Sequence, residues 1–184
     1  MVFSPQNSAT ASDICTRCGL CCSGALFDHG PLTDTEVPAA EAIGLSVERV
    51  GGEASFCQPC AGLSGSVCSV YEARPATCRS YRCQLLKRLQ QGEFGEDEAR
   101  GLIAEARQLE DRVLALLPNG MNIVSARAAF MPPPGNEEQA LEWRKNNPQL
   151  TLALTMLNRV LDRHFRHSDQ RIIAGWDTGM KDAG

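Results

Sequence analysis

Apolar residues recur every three or four positions over most of the chain after Pro75, and this spacing is typical of amphipathic helices. The clearest predicted helix has acidic side chains in its first turn and ends at Pro118-Asn119-Gly120. Another begins at Pro148 directly after Asn147, a favoured order of helix cap and first helical residue. The pattern predicts helices over 75–92, 96–117, 137–145 and 148–165, with an extended connector over 131–135.

The chain before Pro75 has a different pattern, because Gly, Pro, Ser and Cys interrupt it and little periodicity remains. One short helix is predicted after Thr33-Asp-Thr-Glu36, which has the form of a capping box, and Gly44 is expected to end it. We therefore expect a mainly α protein in which an irregular, cysteine-rich metal-binding N-terminal half packs on a helical C-terminal half. The predicted division is a flexible tail over 1–12, a cysteine-cluster metal-binding region over 13–84, and a helical region over 85–184 that shares one core with it.

Length and composition narrow the class of protein. The 184 residues suit one domain, and the apolar fraction of 43% suits a globular one. Mean hydropathy is −0.22 and no apolar run approaches the length of a membrane span, so no membrane association is expected. A net charge of −4 disfavours a general nucleic-acid binder. The first residues lack the basic and apolar regions of a signal peptide, which predicts a cytoplasmic location. The composition does not indicate which protein partner, if any, the chain binds.

The nine cysteines change this ordinary picture, because all of them lie between Cys15 and Cys83. Thiols stay reduced in the cytoplasm, where closely spaced cysteines usually bind metal. An odd number also fits a closed set of disulfides poorly. These rules favour a metal site over a redox dithiol or a disulfide scaffold.

The first cysteine cluster reads Cys15-Thr-Arg-Cys18-Gly-Leu-Cys21-Cys22. Cysteines three apart with a glycine between them let a tight loop wrap one ion or cluster, with backbone N–H groups directed at the sulfurs. Adjacent side chains tend to diverge, so Cys21 and Cys22 do not easily reach the same small ion. One of them is therefore a candidate ligand of a second site.

The second group comprises five cysteines with less regular spacing. Cys57-Gln-Pro-Cys60 has the form of a redox dithiol, but glycine-rich flanks do not fit the strand and helix of a thioredoxin-like site. Cys78 and Cys83 are five residues apart, about 140° round an ideal helix. Either the helix is distorted there or the two thiols serve different partners.

Together these residues resemble the YkgJ-like cysteine-cluster family, described as a zinc- or iron-chelating domain. The matching positions are the opening C-x-x-C-x-x-C-C, then Cys60-Ala-Gly-Leu63, and the run from Cys68 through Tyr71, Arg74-Pro75, Cys78 and Tyr81 to Cys83. The resemblance covers residues 13 to 84 and implies an iron–sulfur cluster or zinc as the cofactor. It implies that Cys57 is supernumerary and that the ligands are Cys15, Cys18, Cys21, Cys22, Cys60, Cys68, Cys78 and Cys83.

Three hypotheses for function remain open. The leading one is a cytoplasmic metal-binding protein that holds an iron–sulfur cluster or zinc through the cysteine cluster. The second is a cluster-dependent enzyme, either redox or methyltransferase-like, since one branch that looks similar is the flagellin lysine N-methylase. Those proteins are longer, and no glycine-rich nucleotide loop follows a predicted strand here. The third is a zinc-stapled interaction module that presents the helix over 96–117.

Several residues near the cysteines have candidate roles. Arg74 and Arg79 are expected to offset the negative charge of the thiolates, since four thiolates leave a charge of −2 around Zn²⁺. His29 follows the first cluster and is either a ligand or a turn residue. The remaining candidates are expected to be surface or packing residues: His164, His167, Tyr71, Tyr81, Trp143 and Trp176.

Overall fold

A computed structural model describes residues 5–173 of the chain, and its architecture is mainly α, as predicted. No helix within this span is both long enough and apolar enough to cross a membrane. Trp176 lies outside the described residues. The helices are α1 (Pro5–Cys18), α2 (Val37–Ala42), α3 (Ala76–Ser80), α4 (Gln84–Gln91), α5 (Glu96–Leu116), α6 (Ile123–Phe130), α7 (Glu137–Asn146) and α8 (Pro148–His164), followed by a 3₁₀ turn at Ser168–Gln170.

The helical C-terminal half is organised by the packing of α5 on α8. Ala99, Ala106 and Val113 recur every seven residues along α5 and are fully buried, so they form a narrow apolar stripe. Leucines of α8 face this stripe. The apolar periodicity of both helices was therefore a reliable signal, and their ends lie within one residue of the predicted ones.

Two details of this half differ from the sequence prediction. The Asn147 side chain does not cap α8; its Nδ2 donates to the Trp143 carbonyl at the end of α7, 2.9 Å away. Helix α6 was not predicted, because its apolar and small residues show little one-sided pattern. Its start is nevertheless capped by Asn122, whose Oδ1 accepts from the Ser125 N–H at 2.9 Å.

The N-terminal half contains a small antiparallel sheet that the sequence analysis did not predict. Strands β1 (His29–Pro31), β2 (Val47–Val50) and β3 (Glu53–Cys57) lie in the order β1-β3-β2. The turn from β2 to β3 is Gly51-Gly52, both with positive φ, which only glycine adopts at low cost. A side chain at Gly30 would collide with the Phe56 ring on the opposite strand. The region predicted as irregular is therefore built partly on a sheet.

Two apolar clusters result from this architecture. The first, here called the helical core, joins residues near the first cysteine cluster, such as Ile14 and Leu20, to α4, α5, α6 and α8. The second, here called the sheet core, is confined to the N-terminal half. Its buried members are Leu32, Ala40, Leu45, Ala54, Phe56 and Cys60.

Helix α1 begins at Pro5, inside the segment for which the sequence predicts a tail. Its last two turns carry the first cysteines and pack on α4 and α5. An ion pair of 2.8 Å between Asp13 and Arg100 joins α1 to α5 at the surface. The cysteine cluster therefore starts on an element anchored to the helical half.

Candidate metal centre

The first cysteine loop is a helix end followed by a tight turn. Cys15 and Cys18 occupy the last turn of α1, and Gly19 then reverses the chain with a φ of +74°. The Gly19 carbonyl accepts from the N–H groups of Cys22 and Ser23, each at 2.9 Å. A Cβ at Gly19 would lie 3.1 Å from the backbone of Ser66, so this position has no room for a larger residue.

The chain around Cys60 and Cys68 folds against this loop. The Cys60 N–H donates to the Cys22 carbonyl at 2.7 Å, which ties the two cysteine groups together. Strands β4 (Leu63–Ser64) and β5 (Val67–Cys68) form a hairpin in which Cys68 pairs with Leu63. The Leu63 N–H in turn donates to the Cys60 carbonyl at 3.0 Å. These bonds bring Cys22, Cys60 and Cys68 into one neighbourhood.

Cys78 and Cys83 lie on separate helices, which resolves the difficulty of their five-residue spacing. Cys78 lies on α3, whereas Cys83 is the residue before α4. Tyr81 and Cys83 adopt extended backbone angles, so the helix is interrupted between the two cysteines. Of the two alternatives left open by the sequence, the distorted helix is the one observed, and the assignment of the two thiols to different partners stays a prediction.

Apolar packing separates six of the cysteines into two sets. Cys18, Cys21 and Cys83 pack in or against the helical core. Cys22, Cys60 and Cys78 pack in or against the sheet core. The vicinal Cys21 and Cys22 thus fall on opposite sides of this division. Cys15 is exposed and Cys68 is half-buried, and neither belongs to either core.

The strongest thiol–thiol interactions of Cys21 and Cys22 follow the same division, whereas Cys15 interacts with thiols on both sides of it. Burial is the largest cause of the raised Cys21 pKa, and the next contributions come from Cys83, Cys18 and Cys15. Burial likewise raises the Cys22 pKa, followed by contributions from Cys60, Cys68 and Cys78. The pKa of Cys18 is raised to about 12, and those of Cys78 and Cys83 to about 11, with burial again the main cause. As free thiols these groups stay protonated, so binding a cation must displace their protons.

Backbone amides near three sulfurs partly offset this effect. The amides of Leu20 and Gly62 lower the pKa of Cys18 and Cys60, each from two positions further along the chain. The amides of Leu85 and Leu86 in the first turn of α4 lower the pKa of Cys83, although its side chain makes no capping hydrogen bond. This arrangement matches the expectation of N–H groups directed at the sulfurs and favours the thiolate that a metal needs.

Arginine side chains supply positive charge around the same thiols. Arg74 is half-buried and lies over the Tyr71 ring at 3.5 Å from its centroid. Burial raises the pKa of Cys15 and Cys78, and the Arg74 charge partly offsets that rise. Arg82 also lowers the pKa of Cys15. Arg74 thus lies where the sequence placed it, as a group that offsets thiolate charge.

Arg79 has a different position from the one expected of it. Its side chain is exposed and donates to the carbonyls of Arg74 and Glu72 at 2.8 and 3.1 Å. The guanidinium also interacts with the Glu36 carboxylate, so its partners in the described part of the chain are oxygens. Arg79 therefore stabilises the backbone around Arg74, because its guanidinium donates to carbonyl oxygens there instead of contacting a thiol.

Three arginines from the helical half hold the first cysteine loop, and the sequence analysis missed all three. Arg107 on α5 lies close to Gly19, lowers the pKa of Cys18, and pairs with the buried Glu110 at 3.0 Å. Arg127 donates to the Gly24 carbonyl at 2.6 Å. Arg166, only 3% exposed, donates to the Ala25 carbonyl at 2.9 Å. Nothing in the local sequence relates these arginines to the first cysteine loop, because they lie 88 to 141 residues from the loop positions that they contact.

Arg166 is the most deeply buried of these cations. It pairs with Asp162 at 2.8 Å and donates to the Asn158 side chain at 2.9 Å. The Asp162 carboxylate also accepts from the N–H groups of Ile172 and Ile173. A satisfied buried network of this kind fixes the end of α8 against the loop that follows Cys22.

Cys57 and His29 lie apart from the other cysteines. They are opposite one another in the β1–β3 register, and His29 is exposed. The pKa of Cys57 is raised by burial and by its interaction with Glu48, with no contribution from another cysteine. A strand precedes Cys57, but the hairpin that follows Cys60 is not the helix a thioredoxin-like site requires.

The aromatic and histidine candidates take packing roles. Tyr81 meets the Phe27 ring edge-on at a centroid distance of 4.9 Å, and Tyr71 stacks under Arg74. His167 is half-buried rather than on the surface, and its ring nitrogens lie 3.1 Å from Gln84 Oε1 and 2.9 Å from the Arg82 carbonyl. His164 is half-buried as well, and burial lowers its pKa. Trp143 packs against the helical core.

The donor set fits a soft metal better than a hard one, because it consists of thiols and lacks a nearby carboxylate array. All nine cysteines are free thiols. Within residues 5–173, no three His, Cys, Asp or Glu side chains already stand in an arrangement that holds an ion. The thiols are therefore neighbours that must move together to coordinate a metal.

Comparison with known proteins agrees with this chemistry. Residues 14–100 match the sequence model of the family CxxCxxCC, described as a putative zinc- or iron-chelating domain. The matched segment includes all nine cysteines together with α4, whereas α5 to α8 lie almost entirely outside it. No curated protein and no solved structure matches the chain.

Proposed function

We propose that this protein is a cytoplasmic metal-binding protein whose CxxCxxCC domain holds zinc or an iron–sulfur cluster through cysteine thiolates. The proposed ligands are Cys15, Cys18, Cys21, Cys22, Cys60, Cys68, Cys78 and Cys83. The observation that carries the proposal is that the Cys22 thiol interacts with the thiols of Cys60, Cys68, Cys78 and Cys15, and that the Cys60 N–H donates to the Cys22 carbonyl. Cys57 is left out, since no other thiol influences it.

The surroundings of the thiols support a negatively charged centre. Four thiolates around Zn²⁺ leave a charge of −2, and burying that charge requires cations or hydrogen-bond donors nearby. Arg74, Arg82 and Arg107 supply the positive charge, and the amides of Leu20 and Gly62 supply donors. A reducing compartment suits nine free thiols, which supports the proposed cytoplasmic location.

A zinc-stapled interaction module is less well supported. The helix proposed to present a binding face, α5, uses its apolar stripe to pack on α8. A cluster-dependent enzyme has one observation in its favour: exposed Cys15 borders a small cleft lined by Arg74 and Arg82. Such a cleft would present an anionic ligand to the edge of the centre. A separate cavity of 370 Å³ near Arg49 and Glu53 contains none of the cysteines.

Metal and sulfide analysis of anaerobically purified protein tests the proposal. Bound zinc with no colour, or iron with acid-labile sulfide and absorption near 400 nm, supports it and identifies the cofactor. The Cys60→Ser variant should lose bound metal, whereas Cys57→Ser should retain it. Protein that binds neither zinc on titration nor iron and sulfide on reconstitution, while folded, contradicts the proposal.

A further inference from the structure

We infer that the CxxCxxCC domain forms two separate four-thiolate centres and that the vicinal pair Cys21-Cys22 contributes one ligand to each. Centre A is made of Cys15, Cys18, Cys21 and Cys83, and centre B of Cys22, Cys60, Cys68 and Cys78. The inference rests on the proposed function and adds to it the number of centres and the ligands of each.

The two apolar cores supply the first argument. Cys18, Cys21 and Cys83 pack with the helical core, and Cys83 is only 8% exposed. Cys22, Cys60 and Cys78 pack with the sheet core, and Cys60 is 9% exposed. Cys83 and Cys60 are buried in different cores, so both cannot converge on one small ion unless one of those cores rearranges.

Backbone connections supply the second argument. The Cys60 N–H donates a hydrogen bond to the Cys22 carbonyl at 2.7 Å, and the β4–β5 hairpin brings Cys68 back toward Cys60. On the other side, α1 packs on α4, so the end of α1 that carries Cys18 meets the start of α4. Each set is therefore held by its own secondary structure.

Cys15 and Cys68 complete the two sets. Cys15 lies three residues before Cys18 on α1, and residues with that spacing share a helix face, which assigns it to centre A although it also borders the cleft lined by Cys78. Cys68 pairs with Leu63 in the β4–β5 hairpin, and the Leu63 N–H donates a hydrogen bond to the Cys60 carbonyl. Four thiols per centre is the number that a closed tetrahedral zinc site or a four-iron cluster uses. Because α1 also packs on β5, the two centres lie next to one another.

Paired substitutions separate this arrangement from a single centre. The test uses Co²⁺ as the probe, since its thiolate charge-transfer band reports coordination, and titrates the full-length reduced protein anaerobically. One double variant, Cys18→Ser with Cys83→Ser, removes ligands from centre A alone. A second, Cys18→Ser with Cys60→Ser, removes the same number of ligands but one from each centre. Cys57→Ser is the matched control, and circular dichroism checks the helical content of every variant.

The expected results differ between the two variants. Wild-type protein and Cys57→Ser should bind about two Co²⁺ ions per chain, the number that two four-thiolate centres hold. The double variant confined to centre A should retain about half of the thiolate band, whereas the double variant divided between the centres should lose nearly all of it.

Two outcomes overturn the inference without touching the proposed function. One is a single ion per wild-type chain, lost equally in both double variants. The other is two ions per chain with the divided variant retaining as much as the confined one. A wild-type protein that binds no Co²⁺, Zn²⁺ or iron–sulfur cluster contradicts the proposed function itself. If the variants lose helical content, the wild-type stoichiometry still decides between one centre and two.

Discussion

The helical core and the sheet core differ in how many large apolar side chains they bury. The helical core completely buries leucines 154, 157 and 161 and Phe165, and it joins both halves of the chain. The sheet core buries only three large apolar side chains, Leu32, Leu45 and Phe56, and its other buried residues are small or cysteine. Val37, Ile43 and Val47 pack against it and are partly buried. Fully burying one such side chain contributes about 1.5–3 kcal/mol, whereas ordering each residue costs about 1–2 kcal/mol. The sheet core is therefore too small to order its own segment.

This difference shows where the stabilisation of each region must come from. The helical half depends on apolar packing, which is present whatever the cysteines bind. The sheet region depends on contacts at its border, among them the Cys60–Cys22 backbone bond and the thiols themselves. Metal ligation at that border would therefore be needed to fold the sheet region, whereas it would only add to the stability of the helical half.

Metal removal should separate the two regions most strongly. Ligation in small zinc domains contributes about 10–16 kcal/mol of folding free energy, so its loss exceeds any single contact. We expect the amides of β1, β2 and β3 to lose hydrogen-exchange protection after chelation, while those of α5 and α8 keep most of theirs. Equal loss in both regions, relative to untreated protein, would show that the difference between the cores has no energetic meaning.

Replacing Arg166 with leucine should have the next largest effect. The change leaves Asp162 and Asn158 buried without their cationic partner and releases the Ala25 carbonyl. Breaking a buried pair in this way costs about 3–5 kcal/mol. Urea denaturation followed by circular dichroism measures the loss, and exposed Arg163 near the end of α8 is the control. Arg163→Leu should change stability by less than about 0.5 kcal/mol; similar losses in both variants would contradict the role of the network.

Substitutions of Arg74 and Arg79 test which charges near the thiols affect metal retention at the border of the two regions. Arg74→Leu should weaken metal retention about 10–100-fold, as the loss of groups surrounding a metal centre does elsewhere. Arg74→Lys should restore the charge without the planar guanidinium, and so recover only part of the loss. Arg79→Leu should have a smaller effect, because the partners of Arg79 are carbonyls and the Glu36 carboxylate. Competition with a chromophoric chelator measures all three, and an equal effect of Arg74→Leu and Arg79→Leu would disprove the distinction.

Cys57→Ser should have the smallest effect. The thiol interacts with Glu48 on the sheet and with none of the other eight cysteines. Metal content should match the wild type, and stability should change by no more than about 0.5 kcal/mol. Metal analysis together with a thermal melt measures both quantities. A loss of metal comparable to that of Cys18→Ser would place Cys57 among the ligands and move the border of the site onto the sheet.

Local sequence signals were sufficient for the long helices and insufficient for the sheet. Acidic residues before Ala99 and the stop at Pro118 define α5, because capping and periodicity act within a few residues. The sheet had one usable signal, Gly51-Gly52 between two short strands, which favours a hairpin. Its strands are three to five residues long, too short for an alternating pattern to be distinguished from irregular chain.

The sequence by itself determined the chemistry of the site: thiols, closely spaced, with cations between them. It also singled out Cys57 through the family resemblance and raised the possibility that Cys21 and Cys22 serve different sites. Only the tertiary structure decided which thiols are neighbours and that Arg107, Arg127 and Arg166 hold the first loop. The physical reason is the distance along the chain over which each interaction acts. Residue type and local spacing determine what a side chain can bind and where a helix begins and ends. Which core buries that side chain depends on contacts between segments up to 141 residues apart.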